Sequence, residues 1–156
     1  MAENENPQSN LPFAIQMQYV KDISFENPNP IAVFSDESDV DPAINIDIQA
    51  KANPISDEAF EVVLNITANA QRGENPMYVA ELSYGAIVAV AKDIPQDVLG
   101  QILMVYIPNL MFPFARNIIA DLTRDGGYMP LMLSPVDFMA LYAQQAEQQE
   151  AKAASA

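Results

Sequence analysis

The apolar residues of this chain change their spacing once, and that change limits the fold more than any other feature. Between Phe13 and Val90 they recur at every second position in four runs, the period of a strand with one buried face. After Val90 they recur at helical spacing. Strands first and helices afterwards give an α+β fold: a four-stranded antiparallel sheet with a helical layer packed on one face.

The first run spans Phe13 to Glu26. Phe13, Ile15, Met17, Tyr19, Ile23 and Phe25 fall on one side, and Gln16, Gln18, Asp22, Ser24 and Glu26 on the other. That is long for a strand, so a bulge is expected near Val20-Lys21. The prolines of Asn27-Pro28-Asn29-Pro30 then stop it. A loop carrying Ile31, Val33 and Phe34 leads to a second strand over 43–51, with Ile44, Ile46 and Ile48 aligned. The third covers 59–70. The fourth, 77–90, is apolar on both faces apart from Glu81 and Ser83, as expected of a strand covered twice or meeting a second subunit.

Three helices are expected next. One starts near Pro95 and ends by Tyr106, and a second restarts after Pro108 with Asn109 as its cap. The second stops at Gly126-Gly127. The third begins with Ser134 as N-cap and Pro135 at the first helical position. Residues 1–10 read as a disordered arm, 11–143 as one domain, and 144–156 as a fraying helix end with a disordered tail.

Charge and composition narrow the function. Acidic residues outnumber basic ones 21 to 7, a net charge of −14, which argues against nucleic acid and against anionic membrane surfaces. The chain has no Cys and no His, so disulfides, thiolate or imidazole metal sites, and Ser-His or Cys-His nucleophiles are excluded. No phosphate-binding GxxxxGK[ST] loop is present. The N-terminal residues are polar and acidic, unlike a secretory signal. No uninterrupted apolar run reaches the roughly 18 residues of a membrane span. Together these features predict a cytoplasmic protein without cofactor or metal.

Several short motifs are more specific. Tyr19 with Lys21-Asp22-Ile23-Ser24-Phe25-Glu26 is followed by Pro28-Asn29. Later come Pro108-Asn109, Phe112-Pro113, Ala115-Arg116, and then Pro130, Leu131, Leu133, Pro135-Val136, Phe138 and Ala140-Leu141. In this order, over roughly Phe13 to Tyr142, the chain resembles the bacterial protein-export chaperone family SecB. The resemblance implies a homotetramer, a dimer of dimers in which edge strands of two subunits pair and helices lie sandwiched between sheets. Ala80, Leu82 and Tyr84 are expected to face the helix layer and the dimer–dimer contact, because one helix layer would leave much of the fourth strand exposed.

The resemblance also implies two binding surfaces. A groove for unfolded precursor polypeptides would involve Phe34, Ile44, Ile46, Ile48, Leu131, Leu133, Phe138, Leu141 and Tyr142. Apolar burial there needs no particular client sequence, and Met129, Met132 and Met139 add adaptable side chains nearby. Without other information, such apolar stripes are ordinary core. An acidic face would receive the basic, zinc-carrying C-terminal tail of the export ATPase SecA through Asp22, Glu26 and Glu81, with Val79 as an apolar neighbour; the zinc belongs to the partner. Most acidic strand faces are only solvated.

The expected function is therefore an ATP-independent export chaperone that keeps precursors unfolded and hands them to SecA. One alternative is a SecB-like chaperone dedicated to a single client, such as a toxin–antitoxin pair, for which the acidic docking set would be unnecessary. Another, from a different class, is an enzyme with a buried carboxylate as general base.

Overall fold

A computed structural model of the chain describes residues 10–155. The expected arm therefore lies outside the described residues over 1–9, as does residue 156. The order is β1 (Phe13–Glu26), α1 (Pro30–Phe34), β2 (Ala43–Ser56), β3 (Ala59–Arg72), β4 (Asn75–Val90), α2 (Gln96–Gln101), a π-helical turn (Ile102–Tyr106), α3 (Ile107–Asp125) and α4 (Phe138–Ala154). The four strands form one antiparallel sheet in the order β1-β4-β3-β2. Helices cover one face, which confirms the α+β reading.

The core lies between that face and the long helix. Val62, Leu64, Ile66, Tyr78, Leu82 and Val88 are buried beneath it. Ala68 sits opposite Ala80 at the centre of the sheet. Both are fully buried, so this floor of small residues lets the helix approach closely. From the helix, Ile107, Met111, Ala115, Ile119 and Thr123 point inward at every fourth position. Thr123 donates its hydroxyl to the Ile119 carbonyl at 3.0 Å and accepts the Leu131 N–H at 2.9 Å, which ties the following loop to the helix.

Five local expectations change. The first is the helix break at Pro108: Gln96 to Asp125 is one continuous helix. Proline removes a donor and its ring crowds the carbonyl four residues back. Here the preceding turn widens, with the Ile107 N–H reaching the Ile102 carbonyl, and the Asn109 side-chain amide donates to the Val105 carbonyl at 2.9 Å. By length and composition this helix is apolar enough to cross a membrane; 44% of its most apolar window is buried inside the subunit.

Second, the last helix starts at Phe138, not after Ser134. Asp137 is the N-cap, its carboxylate accepting the Ala140 N–H at 3.0 Å. The helix then runs on to Ala154, through most of the stretch read as a fraying end and tail. Third, β2 continues to Ser56, past Pro54, which an edge strand tolerates. Fourth, Pro30–Phe34 forms a short helix inside the expected loop.

The fifth change concerns β1. Its pairing with β4 slips twice, between Ile15 and Met17 and between Val20 and Asp22. The second slip is the expected bulge. Each inserts a residue and exchanges the faces. Gln18 and Val20 therefore share the helix-side face with Phe13, Ile15, Ile23 and Phe25, opposite Ala86 and Tyr84. Met17 and Tyr19 turn to the open face with Asp22, Ser24 and Glu26.

Candidate functional site

The open face of the sheet is polar because its alternate positions are. In register, Asp22 lies opposite Ser83, Ser24 opposite Glu81, and Glu26 opposite Val79. Asp22, Glu26, Val79 and Glu81 thus occupy one contiguous patch on the side away from the helices. Ser24 donates to Glu81 at 3.4 Å, and Ser83 donates to the Asn65 side chain at 2.6 Å. Asp22 and Glu81 border a shallow depression of about 230 Å³ with Asn65, Thr67 and Ser83. Among the described residues none of Asp22, Glu26 and Glu81 has a cation within 4.0 Å. The nearby lysine is engaged elsewhere: Lys21, the bulged residue, reaches Glu61 at 2.7 Å. Glu61 also accepts a hydrogen bond from the Tyr19 hydroxyl. These bonds from Lys21 and Tyr19 hold its carboxyl below the usual range. Burial, then the Glu61 contact, pushes Tyr19 up to about 12.

The nine residues expected to form a groove separate into four sets. Leu133 and Phe138 are 3% and 1% exposed and belong to the core; Phe138 packs edge-on against Phe112. Ile48, Leu141 and Tyr142 line an open cleft of about 930 Å³ between β2, the start of the long helix and α4. Its floor adds Phe60, Leu99, Leu103 and Met104, and Gln96, Gln144, Gln145 and Lys152 give it a polar rim. Ile44 and Ile46 continue the same side of β2 beyond the cleft and stay exposed, at 39% and 44%.

Phe34 and Leu131 lie apart from the cleft lining. Phe34 is 56% exposed and packs against Tyr128, with ring centroids 5.2 Å apart. Tyr128 meets Tyr78, and Tyr78 stacks on Phe25, so four aromatic rings run through the end of the sheet. Glycines make this possible. A Cβ on Gly127 would stand 2.9 Å from the Phe34 ring, and its φ of +92° favours glycine independently. Tyr128 donates to the Asn27 side chain at 2.7 Å, and burial raises its pKa. Met129 and Met132 stand exposed beside this cluster and Met139 at the start of α4.

Ala80, Leu82 and Tyr84 are 0%, 2% and 7% exposed within the single chain. The expectation that one helix layer would leave the apolar face of β4 uncovered is thus corrected: the long helix is extended enough to cover it. The apolar surface left over lies on the helix's far side instead. Tyr106, Leu110 and Phe114, one turn apart, are all exposed. The sequence held that signal, an apolar stripe opposite Met111, Ala115 and Ile119, but it was absorbed into a general helical pattern. Gln144 and Gln145 were missed because glutamines near a chain end read as solvated tail.

Residues 4–149 match the family model described as SecB, preprotein translocase subunit SecB. A protein-export protein SecB of a Bradyrhizobium strain is 43% identical over 94% of this chain and 90% of its own length. One from Agrobacterium fabrum is 45% identical over 89% and 86%. Among solved structures, a Mycobacterium tuberculosis SecB-like chaperone in complex with an antitoxin peptide shares the fold, with a TM-score of 0.58 at 16% identity over 80% of this chain and 91% of that one. A match across nearly the whole chain, on a sheet and helix layer of the same kind, makes this chain a member of the SecB family of protein-export chaperones.

Proposed function

We propose that the chain binds unfolded precursor polypeptides at the cleft beside β2 and keeps them competent for export. The observation that carries this reading is the continuity of the cleft with Ile44 and Ile46, an accessible apolar strip on a chain of this family. Burial of client side chains there contributes about 25 cal/mol per Å², with no sequence required. Exposed methionines and Phe34 extend the surface and adapt to varied side chains. Release then falls to a partner or to client folding, without ATP at this chain. The test is aggregation of a denatured precursor: stoichiometric amounts of the chain suppress it without nucleotide, and no suppression by intact oligomers overturns the reading.

The partner is the SecA ATPase, whose basic zinc-carrying tail meets the patch of Asp22, Glu26, Val79 and Glu81 in the cytoplasm, without insertion of this chain into the membrane. That no Lys or Arg among the described residues pairs with these carboxylates favours it. Two copies pair through β1 edges and two such pairs meet through Tyr106, Leu110 and Phe114, which gives a dimer of dimers. The single-client alternative draws on the antitoxin peptide bound by the M. tuberculosis chaperone. It leaves the unpaired acidic patch without a role and is the weaker reading.

A further inference from the structure

The direction of the β2 backbone follows from two hydrogen bonds at the sheet's end. The Val90 N–H donates to the Glu58 carbonyl at 2.9 Å, while the Ala91 N–H donates to Pro12 at 2.8 Å. Even-numbered residues of β3 therefore spend their backbone groups on β4, because these groups alternate sides along a strand. Leu64, Ile66 and Ala68 pair in register with Ala50, Ile48 and Ile46. Those β2 residues consequently aim their N–H and C=O groups away from β3, at the free edge of the sheet. Their side chains meanwhile face the cleft side. Pro54, at the same parity, places its missing donor on that edge.

One side chain already occupies this edge. Gln145 of α4 donates its Nε2 to the Ala50 carbonyl at 3.5 Å, and its Oε1 is buried without a partner. A carboxamide that gives a hydrogen to an edge carbonyl and offers its own oxygen alongside has the same groups as a peptide bond of an added strand. The orphaned oxygen makes this closed arrangement imperfect, since swinging outward lets water satisfy it.

We propose that Gln145 is an exchangeable cap on the β2 edge, and that an extended segment of unfolded polypeptide displaces it to pair its main chain with Ile46, Ile48 and Ala50. This deepens the cleft reading and rests on it. When no client is present, the cap covers an outward carbonyl that would otherwise invite edge-to-edge association. When a client arrives, main-chain pairing adds sequence-independent hydrogen bonds to apolar burial in the cleft. The amides of Gln96 and Gln144 at the cleft suit the same occupant, because they can serve the client's outward backbone groups.

The experiment measures binding of a fluorescent, unstructured peptide of alternating leucine and serine, and of its analogue N-methylated at alternate residues. The proteins are the full chain, Gln145→Met and Gln145→Glu, none of whose replacements can donate to Ala50 at neutral pH. Both variants are expected to bind the plain peptide about three- to tenfold tighter, the equivalent of one hydrogen bond no longer displaced. The N-methylated peptide, with alternate donors removed, should bind the full chain about tenfold more weakly than the plain one and gain nothing from the substitutions. Weaker or unchanged binding by both variants, or indifference to N-methylation, overturns the cap while leaving the cleft reading intact. No binding of either peptide to the full chain overturns the cleft reading itself.

Discussion

Tyr19 crosses Gly85 and donates its hydroxyl hydrogen to Glu61, on the far side of β4 from its own strand. A Cβ on Gly85 would stand 2.7 Å from the Tyr19 ring, so the crossing depends on the glycine. Together with Lys21, this contact fastens the bulged segment of an edge strand to β3 and fixes the face that Asp22 and Glu26 present. Tyr19→Phe is expected to cost about 1 kcal/mol, the net worth of one hydrogen bond to a charged group in a part-exposed setting. Denaturant melts of the two proteins check this.

The pH dependence of the same contact has a definite sign. Glu61 has a lowered pKa in the fold, so its stabilisation is present above the ordinary carboxylate range and is lost as pH falls through the folded value. Tyr19 is raised to about 12, so its contribution is intact below the ordinary value of about 10 and is lost between there and about 12. Resonances of the β1 bulge should respond in both windows. In Glu61→Gln the acid response should disappear, and its persistence would assign the acid response to another carboxylate.

The docking patch predicts a salt-sensitive effect. Asp22→Ala or Glu26→Ala removes an exposed carboxylate that has no Lys or Arg partner among the described residues, so folding stability should shift by no more than about 0.5 kcal/mol. Affinity for the basic zinc-carrying tail of SecA should fall several-fold, mostly through slower association, and the loss should shrink as salt rises. Equal affinity at low salt would remove these residues from the docking role.

Sheet, strand pairing class and helix layer were legible because each rests on a repeating pattern over many residues. The β1 face was not: two single-residue bulges reverse Met17, Tyr19, Gln18 and Val20, and alternation carries no mark of where a ladder slips. The continuity through Pro108 was also hidden. Proline in the first turn and proline after a widened turn have the same sequence, and only the Asn109 side chain and the π-helical turn distinguish them. For the site, residue type selected the apolar set, but burial divides it. Phe34 and Phe138 are the same residue in the same expected groove, yet one is 56% exposed and the other 1%.

That division is testable. Phe138→Ala opens a cavity in the core and should cost about 3–5 kcal/mol, and Leu133→Ala about 2–5. Phe34→Ala and Ile46→Ser remove exposed surface and should leave the melting temperature nearly unchanged while weakening capture of an unfolded client. If the exposed substitutions destabilised the fold as much as the buried ones, the client surface would have to lie elsewhere.

The far side of the long helix makes the last prediction. Tyr106, Leu110 and Phe114 lie one turn apart and expose about half of each residue, while Met111, Ala115 and Ile119 on the opposite side are buried or nearly so. An apolar stripe of this size on a chain at −14 calls for a covering surface. In the proposed dimer of dimers a second pair of the same chain supplies one, and it sets apolar burial against repulsion among four copies of that charge. Phe114→Asp introduces an unpaired charge into such a contact without touching the sheet. It should leave each subunit folded and lower the solution mass from four chains to two. Wild-type protein should show the same dissociation in part as salt is removed, because unscreened like charges act against the contact. A mass of four chains for Phe114→Asp at every salt concentration would place the tetramer contact on a different surface.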